Sequence, residues 1–223
     1  GQFTTRPFQR RQKVENPLSK QTIGEYPMIL DTSVLIDGRI LAVVNSGFIV
    51  GTLIIPEMVL GEVQHIADSS DPVRRAKGRR GLEVAGKLRG QKANPWVKVK
   101  VVKDDVAGET EVDHKLVILA KRWSAKLVTV DFNLAQRARV EGVKVLNVGD
   151  LAQAIKMAIV PGEELTIKIT HEGKEREQGV GYLSDGTMII VDDARTMVGQ
   201  DVTIAITKVH QTPAGQLFFG RLK

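Results

Sequence analysis

The sequence predicts an α/β domain built on a parallel sheet, followed by a small all-β domain, and three observations predict it. From Pro27 to about Val160, short apolar runs alternate with segments of helical period. Pro161-Gly162 ends that alternation. Beyond it, apolar residues recur at every second position between glycine-bearing turns. The expected organisation is therefore 27–160 and 161–223. A flexible basic tail is expected over 1–26, where Arg6, Arg10, Arg11 and Lys13 stand among Gln, Asn and Pro without an apolar period.

In the first domain the strand candidates are 28–31, 51–55, 97–102, 126–130 and 143–146, and the helix candidates are 36–46, 57–68, 72–91, 110–124, 133–140 and 149–158. Strands separated by helices imply right-handed crossovers and parallel pairing. Pro56 suits the start of its helix, Thr110 suits an N-cap, and Gly149 or Asp150 opens the last helix. In the second domain 165–169, 187–191 and 202–206 read as strands. Glu172-Gly173, Ser184-Asp185-Gly186 and Val198-Gly199 read as the turns between them, which gives a small barrel or sandwich.

Composition narrows the chemistry. The absence of cysteine removes disulfides and thiolate metal sites, and the four scattered histidines form no i, i+4 ligand pair. No apolar stretch approaches the ~20 residues of a membrane span. A cytoplasmic location is expected, or a membrane-tethered one through upstream residues of a longer form, since the chain opens on Gly1 and not Met. The formal net charge of +6 is uneven. Residues 72–103 hold eleven Lys/Arg against one acid, whereas 161–223 hold seven against nine. A basic cluster in the first domain points to a polyanion, nucleic acid above all.

Four acids stand where such a domain places ligands. Met28-Ile29-Leu30-Asp31 is a buried strand delivering a carboxylate to its C-terminal end, and Leu127-Val128-Thr129-Val130-Asp131 repeats the pattern. Each aspartate equally well N-caps the helix after it, as do Ser33 and Asn133. Glu62 interrupts the apolar stripe of Val59, Val63 and Ile66, and an inward carboxylate needs a cation, a base or a proton. Asp113 shares a face with Leu116, Val117 and Ala120, although it also completes a variant capping box with Thr110. Four carboxylates at one sheet edge repel one another unless a cation neutralises them. Oxygen ligands without His or Cys suit Mg2+ or Mn2+. The helix carrying Arg74, Arg75, Arg79 and Arg80 follows directly on that of Glu62, so it is expected to start near the acids and hold phosphates; a solvated charged face is the plainer alternative.

Asp31-Thr32-Ser33-Val34-Leu35, Glu62, Asp113 and Thr129-Val130-Asp131 together resemble a PIN-domain nuclease over about residues 27–157. The resemblance implies an α/β/α sandwich and a divalent-metal-dependent ribonuclease with the four acids as its catalytic and metal-binding site. Two rivals fit less well. A haloacid-dehalogenase-type phosphatase has Asp where Ser33 stands, and a von Willebrand metal site has Ser where Leu35 stands. Val130 departs from the polar residue frequent at that position in the PIN pattern. The segment from Gln178 through Val191 to Val202 resembles a TRAM domain, which implies a small OB-like barrel associated with RNA binding. PIN followed by TRAM is similar to a bacterial family whose longer members often carry N-terminal membrane helices.

The expectation is thus an endoribonuclease hydrolysing RNA phosphodiesters through metal-activated water, with single-stranded RNA as partner and the barrel assisting. Ser33, Thr129 and Asp37 are candidates for supporting the acids. Asp37-Gly38 reads equally as a turn. Tyr182, Phe218 and Phe219 are candidates to stack bases, against a place in the core. The alternative is a non-catalytic RNA-binding or regulatory module that keeps the fold. Oligomeric state, a homo-oligomer included, is open.

Overall fold

A computed structural model describes residues 24–156, 158–212 and 215–223. All but its last three residues, the tail expected over 1–26 lies outside them. The chain divides into two compact units between Leu151 and Ala152.

In the first unit, β1 (Pro27–Leu30), β2 (Gly51–Pro56), β3 (Val97–Val102), β4 (Lys126–Thr129) and β5 (Val145–Asn147) form one sheet in the order β3-β2-β1-β4-β5. Every pairing is parallel. Ile29, Leu30, Leu53, Ile54, Ile55 and Leu127 have no exposed surface, as strands buried on both faces require. From β1 the chain winds outward through β2 to β3, then crosses back to β4 and winds the other way to β5. The order therefore reverses between β1 and β4, and at such a switch point the strands' carboxyl ends open a crevice. Asp31 follows β1 and Asp131 lies just beyond β4.

The helices that flank the sheet are α1 (Thr32–Asp37), α2 (Arg39–Asn45), α3 (Glu57–Ala67), α4 (Pro72–Gly90), α5 (Val112–Trp123), α6 (Phe132–Val140) and α7 (Val148–Ala154). Three expectations are corrected here. The single helix 36–46 is two helices, the first starting four residues earlier. Gly38 breaks them at φ 83°, ending α1 in the left-handed conformation that glycine adopts freely. Thr110 is not a cap: Glu111 occupies the N-cap of α5 without a side-chain cap bond. The last helix ends at Ala154, and Asn147 opens it, accepting from the backbone N–H of Gly149 at 2.7 Å and of Asp150 at 3.2 Å.

α3 and α4 pack through glycine. A Cβ on Gly78 would lie 2.1 Å from the Ala67 nitrogen, and one on Gly81 would meet Val63 at 2.8 Å. The contacts run in reverse order, so α4 folds back antiparallel along α3. Its middle, at Arg80 and Gly81, faces α1: Gly81 lies against Ile36, and Arg80 covers Gly38. The start of α4, with Arg74 and Arg75, lies instead beyond the end of α3. The expectation that the basic helix starts beside the acids is corrected accordingly.

The second unit is a closed barrel of β6 (Glu164–Glu172), β7 (Gly179–Tyr182), β8 (Met188–Asp192), β9 (Asp201–Thr212) and β10 (Gly215–Leu222), ordered β10-β8-β7-β6-β9. β8 and β10 pair in parallel and the other pairs are antiparallel, which is OB-like topology. Ile167, Ile169, Ile189, Val191, Ile204, Ile206 and Phe218 fill it. Alternation in sequence marks β6, β8 and β9 but leaves β7 faint, because Gly179 and Gly181 occupy its inward positions. A Cβ there would meet the Ala194 and Lys168 carbonyls, each at 2.7 Å. Gly186 and Gly199 take positive φ in two of the expected turns.

Candidate functional site

Asp31 is both things its position allows. Its backbone N–H still bonds the Val128 carbonyl at 3.1 Å, holding it at the mouth of the β1/β4 crevice. Its Oδ2 accepts from the Ser33 N–H at 3.3 Å and so N-caps α1. The carboxylate is buried, 4% exposed, and two hydroxyls donate to the same oxygen: Ser33 Oγ, and Thr129 Oγ1 at 2.9 Å. Those hydroxyls in turn accept backbone N–H groups from the end of β4. Asp131 donates to Thr129 Oγ1 at 2.9 Å and Val130 to Ser33 Oγ at 3.2 Å. Each hydroxyl thereby relays a peptide dipole onto Asp31. Burial raises the Asp31 carboxyl above its ordinary range, and the hydroxyl and backbone bonds oppose that rise. Position 130 contributes through its backbone, so valine there leaves the relay whole.

Asp131 N-caps α6, accepting from the Leu134 N–H at 2.9 Å, and this settles the cap between it and Asn133. Glu62 is half-buried and accepts from Thr32 Oγ1, which ties α3 to the first residue of α1. Asp113 lies in the first turn of α5. Its carboxyl is pushed up to about 6, first by burial and then by the negative charges of Asp31, Asp131, Glu62 and Glu111. The structure thus brings the four sequence-selected acids into one electrostatic neighbourhood.

Asp37 belongs elsewhere. Its carboxylate takes a two-pronged bond from Arg39, at 2.8 and 2.9 Å, and accepts the Arg39 N–H at 3.1 Å. Burial works to raise it, but the Arg39 bonds and the charges of Arg39 and Arg80 outweigh that and hold it below the ordinary range. The turn reading of Asp37-Gly38 is the one observed.

The arginines of α4 divide. Arg75 is half-buried and spends its Nη1 on the Ser69 and Ser70 carbonyls, at 3.2 and 3.3 Å. Arg74, Arg79 and Arg80 are exposed. Two further residues, given no role from sequence, act on the acids. Arg137 of α6 pairs with Glu111 at 3.0 Å, and its charge reaches Asp113. Thr32, inside the Asp31-Thr32-Ser33 run, donates to Glu62. Neither carries a signal in sequence, since both roles depend on which helices end together.

The donor set fits a divalent cation. All four side chains offer carboxylate oxygen, and a cation would offset both the burial and the neighbouring charges that raise the Asp113 carboxyl. Among the described residues, no three His, Asp or Glu side chains close into a ready cage.

A parallel sheet with acids at its switch point, followed by an OB-like barrel, defines the class: an α/β unit with an acidic crevice joined to a small β-barrel. Comparison with known proteins gives the class its family. The PIN domain profile matches residues 28–148 and the TRAM domain profile residues 160–215. The chain is 45% identical over 195 residues to the uncharacterized PIN and TRAM-domain containing protein YacL of Bacillus subtilis, covering 87% of this chain and 52% of that one. It is 48% identical over 193 residues to a PIN and TRAM-domain containing protein of Thermus thermophilus, covering 86% and 56%. A third such protein, from Synechocystis, is 42% identical over 195 residues, covering 87% and 54%. The chain belongs to the PIN-domain family, with a TRAM domain following the PIN domain. It spans about half the length of these curated relatives. PIN domains are generally nucleases and typically use divalent metals, and the TRAM domain is an RNA-binding one, which together support a nuclease or RNA-binding role. Among the described residues no helix is long and apolar enough to cross a membrane.

Proposed function

We propose that the protein is a divalent-metal-dependent endoribonuclease acting on single-stranded RNA. The observation that carries this reading is the half-buried Asp113 carboxyl, raised to about 6 first by burial and then by the charges of Asp31, Asp131 and Glu62, which gathers the four acids at one place. A binding surface for a polyanion has no use for crowded carboxylates, whereas a cation-assisted hydrolase needs them. Asp31, Glu62, Asp113 and Asp131 would hold Mg2+ or Mn2+. When bound, the ion supplies charge neutralisation for the phosphodiester and lowers the pKa of a coordinated water.

The chain's own residues set the rest. Ser33 and Thr129 orient Asp31 and keep its lone pairs directed, and Thr32 does the same for Glu62. Arg137, beside Asp113, and the exposed arginines Arg74, Arg79 and Arg80 attract the phosphate backbone. In this reading the working parts are a basic tail (1–26), a nuclease domain (27–160) and an RNA-binding barrel (161–223).

The test is a labelled single-stranded RNA incubated with purified protein and Mn2+, with EDTA and with Asp31→Asn. Cleavage that needs both the metal and Asp31 supports the enzyme. Titration calorimetry of Mn2+ into the two proteins checks the site apart from turnover, and equal binding removes Asp31 from it. The second reading, an RNA-binding module without catalysis, draws on the TRAM-matched barrel that follows the PIN domain. RNA binding without cleavage at any divalent metal would establish it.

A further inference from the structure

The barrel presents an organised aromatic surface that the acidic site does not use. Along β8 and β10 the residues alternate in and out: Ile189, Val191 and Phe218 are buried, while Met188, Ile190, Leu217 and Phe219 are half-buried on the outer face. Phe218 is thus core, and the sequence candidates for base stacking reduce to Phe219 and Tyr182. Phe219 stands opposite Lys208 of β9 and beside Ile190 of β8. The Lys208 ammonium lies 5.0 Å from the Phe219 ring centroid. The His210 ring meets the same ring edge-on at 5.3 Å. One strand beyond β8, Tyr182 is 43% exposed, stands opposite Met188, and has the His171 ring at 5.9 Å. Two aromatic rings, each with a histidine partner, therefore flank an apolar floor of Met188 and Ile190. One intervening strand and a two-residue offset separate them by roughly 12 Å at standard sheet spacing.

We infer that this face, spanning β7, β8, β10 and β9, is a base-stacking site for single-stranded RNA, with one nucleobase on Phe219 and another on Tyr182. Sequence-independent single-strand binding combines rings that take base faces with cations beside them. Lys208, held over the Phe219 ring, supplies a cation at the edge of a stacked base. The electrostatics separate this surface from the arginine helix. The barrel segment 161–223 has more acids than bases, and Arg221 stands opposite Asp192 in the pairing of β10 with β8. The two rings themselves carry no charge, so their contribution is expected to depend on the base and little on salt. The site lies across more of the barrel than the strand 2–3 surface common to OB folds, because Phe219 and Lys208 come from the last two strands.

This inference rests on the reading of RNA as the partner, and its test separates the two. The full chain is titrated in EDTA against two fluorescent probes of equal length, an oligoadenylate and a fully abasic ribose-phosphate strand. The variants are Phe219→Leu, Tyr182→Leu and the double variant, which keep an apolar side chain of similar bulk, with thermal melts confirming the fold. Wild type is expected to prefer the oligoadenylate. Each substitution should weaken that binding by about tenfold, in line with stacking worth ~1–3 kcal/mol per base. Affinity for the abasic strand and the salt slope should both stay unchanged. Equal affinity of wild type for both probes overturns the stacking site while leaving RNA binding in place. A preference that survives in the double variant also overturns it, and assigns the aromatic face to a protein surface instead. Binding of neither probe overturns the RNA reading and this site with it.

Discussion

Thr129 donates a hydrogen bond of 2.9 Å to Asp31 across 98 residues of sequence, joining the ends of β4 and β1 where the strand order reverses. Thr129 has no exposed surface, so this hydroxyl has no water to fall back on. It also accepts the Asp131 N–H, which makes it the link between both strand-end aspartates.

Thr129→Val keeps the side-chain shape and removes both bonds. We expect a stability loss of about 1–3 kcal/mol, because a buried carboxylate oxygen and a backbone N–H each lose a partner. Urea denaturation measures the loss. A weaker Mn2+ affinity should accompany it, and Thr129→Ser should restore much of both.

Asp113 predicts how stability changes with pH in EDTA. Its carboxyl is raised from 3.8 to about 6 in the folded protein, so between those values the native state holds more protons than the unfolded one. The group's contribution is favourable below pH 3.8 and is lost as pH rises through about 6. Asp113→Asn should therefore melt higher than wild type at pH 7.5, with the gap closing towards pH 4. Divalent metal should raise the melting temperature of wild type more than that of the variant, since ligand binding stabilises by mass action.

Two glycines of α4 should respond in opposite directions. Gly78→Ala drives a Cβ into the backbone of Ala67, which cannot yield locally. A loss of about 1–3 kcal/mol is expected from pushing α4 off α3. Gly86 has nothing within 4 Å of its Cβ direction, so Gly86→Ala should add up to about 1 kcal/mol from helix propensity. Chemical denaturation of both variants checks the pair.

Replacing Arg74, Arg75, Arg79 and Arg80 together by alanine should flatten the salt dependence of RNA affinity. Each lost phosphate contact lowers the slope by about 0.7 on a single strand. Arg75→Ala alone should hardly change the slope, since its guanidinium already serves the Ser69 and Ser70 carbonyls; it should instead loosen the start of α4. Fluorescence anisotropy over a salt series distinguishes these outcomes, and an unchanged slope in the fourfold variant makes α4 a solvated face.

What the sequence determined by itself is local and periodic. Apolar runs such as Ile29-Leu30 and Leu127-Val128, short and set between helical segments, suit strands buried on both faces, and an aspartate closing such a run lies at a carboxyl end wherever the sheet goes. That was enough for the parallel sheet, the barrel and the place of Asp31 and Asp131. Side-chain partnership was not legible. Asp37 has the same chemistry as Asp31 six residues away, yet it turns to Arg39 because Gly38 ends the helix between them. Arg75 and Arg80 share one basic run, but the antiparallel return of α4 along α3, set by Gly78 and Gly81, sends Arg75 beyond the end of α3 and Arg80 over α1. The raised carboxyl of Asp113 arises first from burial and then from charges just after β1, on α3 and beyond β4, and only the tertiary structure brings those elements together. Electrostatic coupling depends on distance through space, and distance through space is what a linear sequence leaves open.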